Sequence, residues 1–281
     1  MTILLARIAS SPLRAVLAFK GGTALRKLVF GEAGRFSEDL DFACLDEDAE
    51  RVYLELDALL TGEAPPDEVT VRNLRFEIAG PGTLQARYAF ASTIGEGEFD
   101  LDVTTTRRPL LLPASPKPLI PQVYFNGLGL DLPDVLTVHP VEMAAEKLVA
   151  LHRRFENRNP KDAWDLWKWF ALSDPQAATL VAHLWPARLW LDGTDGDVRW
   201  RGSGWIEQLT PDRFIWDRLQ SLLPGGALDA ARLLDELKGR LRPWVDTDEE
   251  GILADVGDGR RRRQREVDAA VERVRTELEG R

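Results

Sequence analysis

The sequence predicts an α/β protein with two parts: an N-terminal domain built on a mixed sheet and a mainly helical C-terminal domain. The first part of the 281-residue chain alternates short β-branched runs with turns, whereas the later part has the apolar spacing of amphipathic helices. All nine tryptophans lie at or beyond Trp164, and a proline-rich segment spans residues 109–121. The predicted domains therefore cover residues 1–130 and 131–281, and we expect a bilobed molecule.

Turn residues and hydrophobic periodicity divide the N-terminal domain into helices and strands. In chain order, the predicted elements are a helix over residues 2–13, a strand over 15–19, a turn over 20–23, a helix that starts at 24, a strand over 38–44, a helix over 46–60, and strands over 69–78, 84–92 and 98–105. In the C-terminal domain, Pro140 suits the first position of a helix that extends to residue 155. Asn159 and Pro160 open a second helix that ends near residue 170, and an arginine-rich helix covers 260–278.

Composition and charge exclude several classes of protein. The net charge of −10 argues against a protein that coats nucleic acid through its overall charge, because that mode of binding needs a basic surface. No apolar run is long enough to cross a bilayer, and residues 1–17 lack the pattern of a signal peptide. Cys44 is the only cysteine, so the chain has no internal disulfide. We therefore expect a cytoplasmic protein without a membrane segment.

Asp39 and Asp41 lie two residues apart in the strand predicted over residues 38–44. Side chains at such positions point to the same face, so the two carboxylates are neighbours, and Leu40 and Phe42 face the core. Adjacent carboxylates repel each other unless a cation lies between them, and Mg²⁺ is commonly held by one or two carboxylates together with substrate phosphates. The alternative is a solvated strand face without a ligand.

Gly21 and Gly22 lie between the first strand and the helix that follows it. Glycines at that place let the backbone approach a ligand closely, and the first N–H groups of the helix can bind a triphosphate, with the Thr23 hydroxyl as an additional donor. Alternatively, the segment is only a tight turn in which Thr23 caps the helix. Together with the aspartate pair, it predicts a device in which one element binds a triphosphate and the other holds its metal ion.

Two segments, Lys20-Gly-Gly-Thr-Ala-Leu-Arg-Lys27 and Arg35-Phe-Ser-Glu-Asp-Leu-Asp-Phe42, closely resemble the AbiEii/AbiGii nucleotidyltransferases. These are toxins of type IV toxin–antitoxin and phage-abortive systems, within the DNA polymerase β-like nucleotidyltransferase superfamily. The resemblance implies a nucleotidyltransferase fold with nucleotide contacts from Gly21, Gly22, Thr23 and Ser37 and with catalytic metal ligands at Asp39 and Asp41. From the residues alone, Ser37 is equally consistent with a loop hydroxyl at the entry to the strand.

Two predicted helices of the C-terminal domain resemble the remaining motifs of that family. The segment Glu142-Met-Ala-Ala-Glu-Lys-Leu-Val-Ala-Leu151 implies a catalytic Lys147 that contacts the nucleotide. The segment Asn159-Pro-Lys-Asp-Ala-Trp-Asp-Leu166 implies a catalytic Asp162 that orients or deprotonates the acceptor. The residues alone also allow a surface lysine packed along its stem and a carboxylate that favours a helix start. The role of Asp165 stays open, and the active site is expected in the cleft between the domains.

Members of the nucleotidyltransferase superfamily often use a third carboxylate, on a later strand, to deprotonate the acceptor. Residues 98–104 offer Asp100 and Asp102 at alternating positions, and we favour Asp102 as a third metal ligand because it lies deeper in the strand. An exposed strand face explains both residues about as well.

The resemblance further implies transfer of a nucleotide from an NTP to RNA, in particular to the 3′ end of tRNA, which blocks translation. A cognate antitoxin is an expected partner. An acidic protein needs a local basic surface to bind RNA, and the candidate clusters are Arg107, Arg108 and Lys117; Arg153, Arg154, Arg158 and Lys161; and Arg260 to Arg263 with Arg265. Two alternatives stay open: transfer to a protein or small-molecule acceptor, and a catalytically silent module that binds nucleotide or antitoxin.

Overall fold

A computed structural model describes residues 1–62, 69–78, 82–93, 95–106, 108–122, 134–153, 158–192, 203–225, 228–245 and 260–280. The chain forms two compact units, Met1–His139 and Pro140–Arg281, and each is described by itself. The domain boundary predicted at residue 130 lies outside the described residues.

The first unit is built on a mixed sheet, so the predicted α/β class is confirmed. Its strands are β1 (Leu17–Lys20), β2 (Asp39–Cys44), β3 (Thr70–Ile78), β4 (Thr83–Ser92), β5 (Gly95–Thr104), β6 (Ser115–Lys117) and β7 (Val135–Thr137). Their order across the sheet is β3-β4-β5-β2-β1-β7-β6. β2 is parallel to β5 and β1 is parallel to β7, whereas the other neighbours are antiparallel.

Three α-helices of this unit differ from their predicted bounds. α1 (Thr2–Ala9) ends before the predicted residue 13, because Pro12 disfavours a helical conformation at Ser11, which is extended there. α2 (Gly21–Leu25) begins directly after β1 rather than at residue 24, and a π-helical turn, Arg26–Phe30, continues it. α3 (Ala49–Thr61) begins after Asp48, whose side chain accepts a hydrogen bond from the backbone N–H of Arg51.

α3 covers one face of β3 and β4 through a buried polar network. The Tyr88 hydroxyl of β4 donates a hydrogen bond of 2.8 Å to Oδ1 of Asp57 in α3. Nδ2 of Asn73 in β3 donates to the same oxygen at 2.6 Å and to the Tyr53 hydroxyl at 3.0 Å. Burial and the hydrogen bonds of Tyr88 with Tyr53 and Asp57 raise the pKa of Tyr88 above its usual value. The network fixes which face of β3 and β4 turns toward the core, and therefore which residues lie on the opposite face.

The second unit is helical in its described parts. Its α-helices are α4 (Pro140–Arg153), α5 (Lys161–Leu172), α6 (Pro175–Asp192), α7 (Trp216–Gln220), α8 (Ala230–Val245) and α9 (Arg260–Glu279). α4 packs against α5 and α6, and the side chains of Trp169, Trp185 and Trp205 are fully buried in the core of this unit. Among the helices in the described ranges, none combines the length and apolar character that a bilayer crossing requires.

Candidate active site

The predicted aspartates of the first unit lie on adjacent parallel strands. β2 pairs with β5 so that Asp39 is opposite Asp100 and Asp41 is opposite Asp102. All four side chains are half-buried, whereas Leu40 and Phe42, at the intervening positions of β2, are fully buried. The alternation predicted from the sequence therefore places two cross-strand pairs of aspartates on one face of the sheet and the apolar side chains on the other.

Gly21 brings the main chain against the Asp41 carboxylate. On the other edge of β2, Asp41 is opposite Lys20, the last residue of β1, and Gly21 follows as the first residue of α2. Gly21 has a φ of +78°, and a Cβ built on it would lie 1.9 Å from Oδ2 of Asp41. Only glycine fits this place, because any side chain would overlap the carboxylate and would strain the backbone. The start of α2 and the carboxylate of Asp41 are consequently immediate neighbours.

Thr23 joins α2 to β2 and does not cap the helix. Its hydroxyl donates a hydrogen bond of 2.5 Å to the main-chain carbonyl of Asp39, and the residue is buried. Lys20 occupies the cap position, where its extended backbone makes no side-chain cap. Gly22 is buried one residue before Thr23, and Ser37 is half-buried two residues before β2. The predicted phosphate contacts of Gly21, Gly22, Thr23 and Ser37 stay predictions.

Asp100 and Asp102 differ in their cross-strand partners. Arg87 in β4 donates two hydrogen bonds to Asp100, from Nε at 2.7 Å and from Nη2 at 2.8 Å, and this pairing raises the pKa of Arg87. Asp102 is instead opposite the neutral Gln85 on that side and opposite Asp41 on the other. Of the two candidates for a third carboxylate, Asp102 is therefore the one that adjoins the aspartate beside Gly21.

A depression of about 380 Å³ lies on this face of the sheet. It is lined by Asp39, Asp100 and Asp102 from the inner strands and by Arg75, Gln85 and Arg87 from the outer strands. The outer residues were not among the sequence-predicted site residues, because single arginines at alternate strand positions form no charge cluster in the sequence. Their common face becomes evident only from the register of β3, β4 and β5.

The donor set of this site suits a hard cation. In the part of the chain that the structure describes, no group of three or more acidic, histidine or cysteine side chains is arranged to hold a metal ion by itself. A pair of carboxylates, Asp39 and Asp41, matches the way in which Mg²⁺ is usually held, with substrate phosphates and water completing its octahedral shell. The close approach of Gly21 to Asp41 places the start of α2 beside that position.

The second unit brings together the other predicted catalytic residues. Nζ of Lys147 in α4 lies 2.8 Å from Oδ1 of Asp162 and 3.1 Å from Oδ2 of Asp165, both in α5. The side chains of Lys147 and Asp162 are 17% and 18% exposed, whereas that of Asp165 is 1% exposed. Asp165 is thus a buried anchor for the lysine, whereas Asp162 and Lys147 retain access to solvent. The predicted cleft joining the two groups of residues stays a prediction.

The start of α5 differs by one residue from the sequence prediction. Pro160 is at the cap position and Lys161 is the first helical residue, whose N–H donates to Oδ1 of Asn159 at 3.1 Å. Asp162 is therefore the second residue of the helix. A carboxylate there favours the helix dipole, and the same carboxylate also pairs with Lys147.

The basic clusters predicted to contact RNA are only partly described. Arg107 and Arg154 lie outside the described residues, and the side chains of Arg153 and Arg260 to Arg263 are not described. Arg158 donates hydrogen bonds to the main-chain carbonyls of Asp212 and Arg213, so its guanidinium connects two segments of the second unit. Arg108 and Lys161 are half-buried, and Lys117 and Arg265 are exposed.

Comparisons with known proteins agree with these features. The sequence model of the family described as nucleotidyl transferase AbiEii toxin, type IV TA system, matches residues 3–273, and the chain belongs to this family. The structure is similar to that of MenT4, a nucleotidyltransferase toxin from Mycobacterium tuberculosis, with a TM-score of 0.76 and 27% sequence identity over 97% of this chain and 90% of that chain. It also resembles JHP933 from Helicobacter pylori, with a TM-score of 0.49 and 16% identity over 86% and 87% of the two chains. No curated protein matches in sequence.

The chain is therefore a nucleotidyltransferase of a toxin–antitoxin family, as the sequence motifs predicted.

We expect Gly21→Ala to abolish nucleotidyl transfer and to lower the free energy of unfolding by about 1–3 kcal/mol, because the methyl group overlaps the Asp41 carboxylate at a left-handed φ. Pyrophosphate release measures the first effect. Urea unfolding followed by circular dichroism measures the second, since all the tryptophans lie in the other unit.

The matched control for this change is Gly239→Ala on the exposed side of α8, where a Cβ meets no atom within 4 Å. This variant should keep its activity and gain up to about 1 kcal/mol of stability, because alanine is the better helix former. Wild-type activity in Gly21→Ala would contradict the claim that nucleotidyl transfer needs the close approach of Gly21 to Asp41.

We expect the two carboxylates that contact Lys147 to respond differently to conversion to asparagine. Asp165→Asn should lower the free energy of unfolding by about 1–3 kcal/mol, because it removes the charge of a fully buried partner. Asp162→Asn should cost less stability but slow nucleotidyl transfer at least about 100-fold, as loss of a proton-transferring or orienting group does. Urea unfolding and single-turnover rates distinguish them. If both variants transfer nucleotide at the wild-type rate, the ion pairs stabilise only the fold.

Proposed function

We propose that the protein transfers a nucleotide from an NTP to the 3′ hydroxyl of RNA, with the 3′ end of tRNA as the acceptor, in a Mg²⁺-dependent reaction. The observation that carries this proposal is the contact of Gly21 with Asp41, which belongs to one of the two cross-strand pairs of aspartates. In this proposal, main-chain N–H groups at the start of α2 bind the triphosphate next to the carboxylates that bind its metal ion. The family resemblance supplies RNA and the tRNA 3′ end as the acceptor.

The proposed reaction is a displacement at the α-phosphorus of the NTP. The acceptor hydroxyl oxygen forms a bond to that phosphorus, and the bond from the phosphorus to the oxygen bridging to the β-phosphate breaks. Pyrophosphate leaves with the electron pair of that bond, and the hydroxyl proton passes to a base. Mg²⁺ bound at Asp39 and Asp41 would neutralise charge on the triphosphate.

The side chains of the first unit have distinct roles in this proposal. Main-chain N–H groups at Gly21 and Gly22 bind phosphate oxygens, and Ser37 adds a hydroxyl. Thr23 holds the carbonyl of Asp39 and so fixes the first carboxylate relative to α2. Asp102, opposite Asp41, lies beside that site as the candidate third carboxylate.

Lys147 and Asp162 supply the remaining functions. The ammonium of Lys147 neutralises charge that develops on the departing phosphates, and its two carboxylate partners hold it in position. Asp162, which lies beside the lysine and retains access to solvent, orients the acceptor hydroxyl or accepts its proton. Asp165, which is buried, orients the lysine through its ion pair.

Modification of the 3′ end of tRNA prevents aminoacylation and accounts for the toxin class of the family. A cognate antitoxin is the partner that this class implies, and the cytoplasm, where tRNA is charged, is the proposed site of action. No membrane partner is part of this proposal.

The direct test combines purified protein, Mg²⁺, total tRNA and each α-labelled NTP in turn. We expect label on tRNA from the wild type with at least one NTP, and none after chelation with EDTA. Asp41→Asn, which keeps the size of the side chain but removes its charge, should reduce labelling at least about 100-fold, because a neutral amide is a poor ligand for a hard cation.

The other outcomes contradict specific parts of the proposal. Pyrophosphate release with label on protein or on a small molecule would contradict RNA as the acceptor. Binding of NTP without pyrophosphate release for any NTP, with tRNA present, would contradict an active transferase and identify a silent binding module.

A further inference from the structure

Three arginines share the face of the sheet that carries the aspartates. Arg72 and Arg75 in β3 and Arg87 in β4 form a set that we name the arginine row. The register aligns Arg75 with Arg87 and, on the next strand, Arg87 with Asp100, and it aligns Arg72 with Ala89. Alternation along the strands then places all three arginines on the face of Asp100 and Asp102. The side chains of Arg75 and Arg87 are 70% and 52% exposed, and Arg72 is also exposed.

A β-bulge creates this arrangement. The register of β3 shifts between Asn73 and Arg75, so that Leu74 is an extra residue. Asn73 faces α3, where it donates to Asp57, and Phe76 also faces α3, where its ring stacks on Tyr53 with centroids 4.3 Å apart. Without the bulge, Arg72 and Arg75, three residues apart, would lie on opposite faces. The bulge therefore places a second arginine of β3 on the aspartate face.

The row brings like charges together on adjacent strands. Arg75 and Arg87 are directly opposite each other, and like charges in that position destabilise a strand pair. Their carboxylate partners, Glu77 and Asp100, lie to the side of each arginine. Within the described residues, neither Nη1 of Arg87 nor Arg72 is paired with a carboxylate. The guanidinium groups thus retain donors for an anion that lies across the row.

Resting on the proposed function, we infer that the arginine row binds the phosphodiester backbone of the acceptor RNA next to its 3′ end. β3 lies three strand spacings from β2, or about 14 Å. β4, which carries Arg87, lies two strand spacings from β2, or about 10 Å. The row is thus close enough to contact an RNA strand whose 3′ end reaches Asp41. The depression lined by Arg75, Glu77, Arg87, Asp100, Asp102 and Asp39 extends from the row to the first aspartate of β2.

The neighbours of the row favour a polyanion over an acidic protein partner. On this face, Arg72 is opposite Ala89 and the next position on β4 is Ala91, and these two alanines are opposite Glu98 and Glu96 of β5. Protein interfaces depend on aromatic or large aliphatic anchors that fill pockets. Small side chains beside exposed guanidinium groups instead suit phosphates, which need charge and forked donors.

The test compares the triple variant Arg72→Gln, Arg75→Gln, Arg87→Gln with the matched control Arg51→Gln. Arg51 is an exposed arginine of α3, on the covered side of the sheet, and it is paired with Asp46 and Glu55 much as Arg87 is paired with Asp100. Fluorescence anisotropy with 5′-fluorescein tRNA measures binding over a range of KCl concentrations. Labelling assays give KM separately for NTP and for tRNA.

We expect the triple variant to bind tRNA at least about tenfold more weakly. The slope of log K against log salt should decrease by about 2, at about 0.7 for each of three lost phosphate contacts to a single strand. KM for NTP should not change. The melting temperature should change little, because the variant removes a like-charge pair together with two exposed ion pairs, each of small worth. Arg51→Gln should match the wild type in all four measurements.

Three results would overturn the inference. These are wild-type tRNA affinity and salt slope in the triple variant, a raised KM for NTP with unchanged tRNA binding, or equal losses in Arg51→Gln. Failure of the proposed function is distinguishable from each of these, because then the wild type itself labels no tRNA. In that case, row-dependent tRNA binding supports the inference about the surface, and row-independent binding or no binding contradicts it.

Discussion

The site depends on the position of β2 in the sheet. β2 is paired on both edges, antiparallel to β1 and parallel to β5, and this double pairing fixes what surrounds Asp41. One neighbour delivers Gly21 and the start of α2, and the other delivers Asp102. A slip of one residue on either edge would turn the aspartates toward Leu40's side of the sheet. The fully buried Leu40 and Phe42 prevent that slip, so the hydrophobic core determines the geometry of the carboxylates.

In the second unit, ion pairs rather than strand pairing hold the predicted catalytic lysine in position. A lysine near a triphosphate has to stay charged and correctly aimed while it is partly desolvated. Asp165, buried beneath it, and Asp162, half-buried beside it, hold Lys147 from two directions. Removal of one partner leaves the charge of another group uncompensated, which is costly in a protein interior. The same contacts therefore serve both the stability of α4 against α5 and the chemistry proposed for the lysine.

Local patterns were sufficient to predict the α/β class and the aspartate strand, whereas the turn predicted over residues 20–23 is wrong, because Gly21 to Thr23 already belong to α2. Leu40 and Phe42 mark the buried face directly, and Pro140 marks the start of a helix. The arginine row could not be predicted in this way, because it depends on the register of β3 with β4 and on the bulge at Leu74. The anchoring role of Asp165 likewise depends on burial between helices. The helix predicted to begin at residue 24 begins at Gly21 instead, where the main chain lies against Asp41.

The central claim is that the carboxylates of β2 hold the metal ion of a triphosphate bound at the start of α2. The most direct measurement is an anomalous difference map from crystals grown with Mn²⁺ and a non-hydrolysable NTP analogue. The account predicts an anomalous peak coordinated by Asp39 and Asp41, with the triphosphate on the main-chain N–H groups of Gly21 and Gly22. A peak at other residues, or a triphosphate bound away from Gly21 while the aspartates hold no ion, would contradict it.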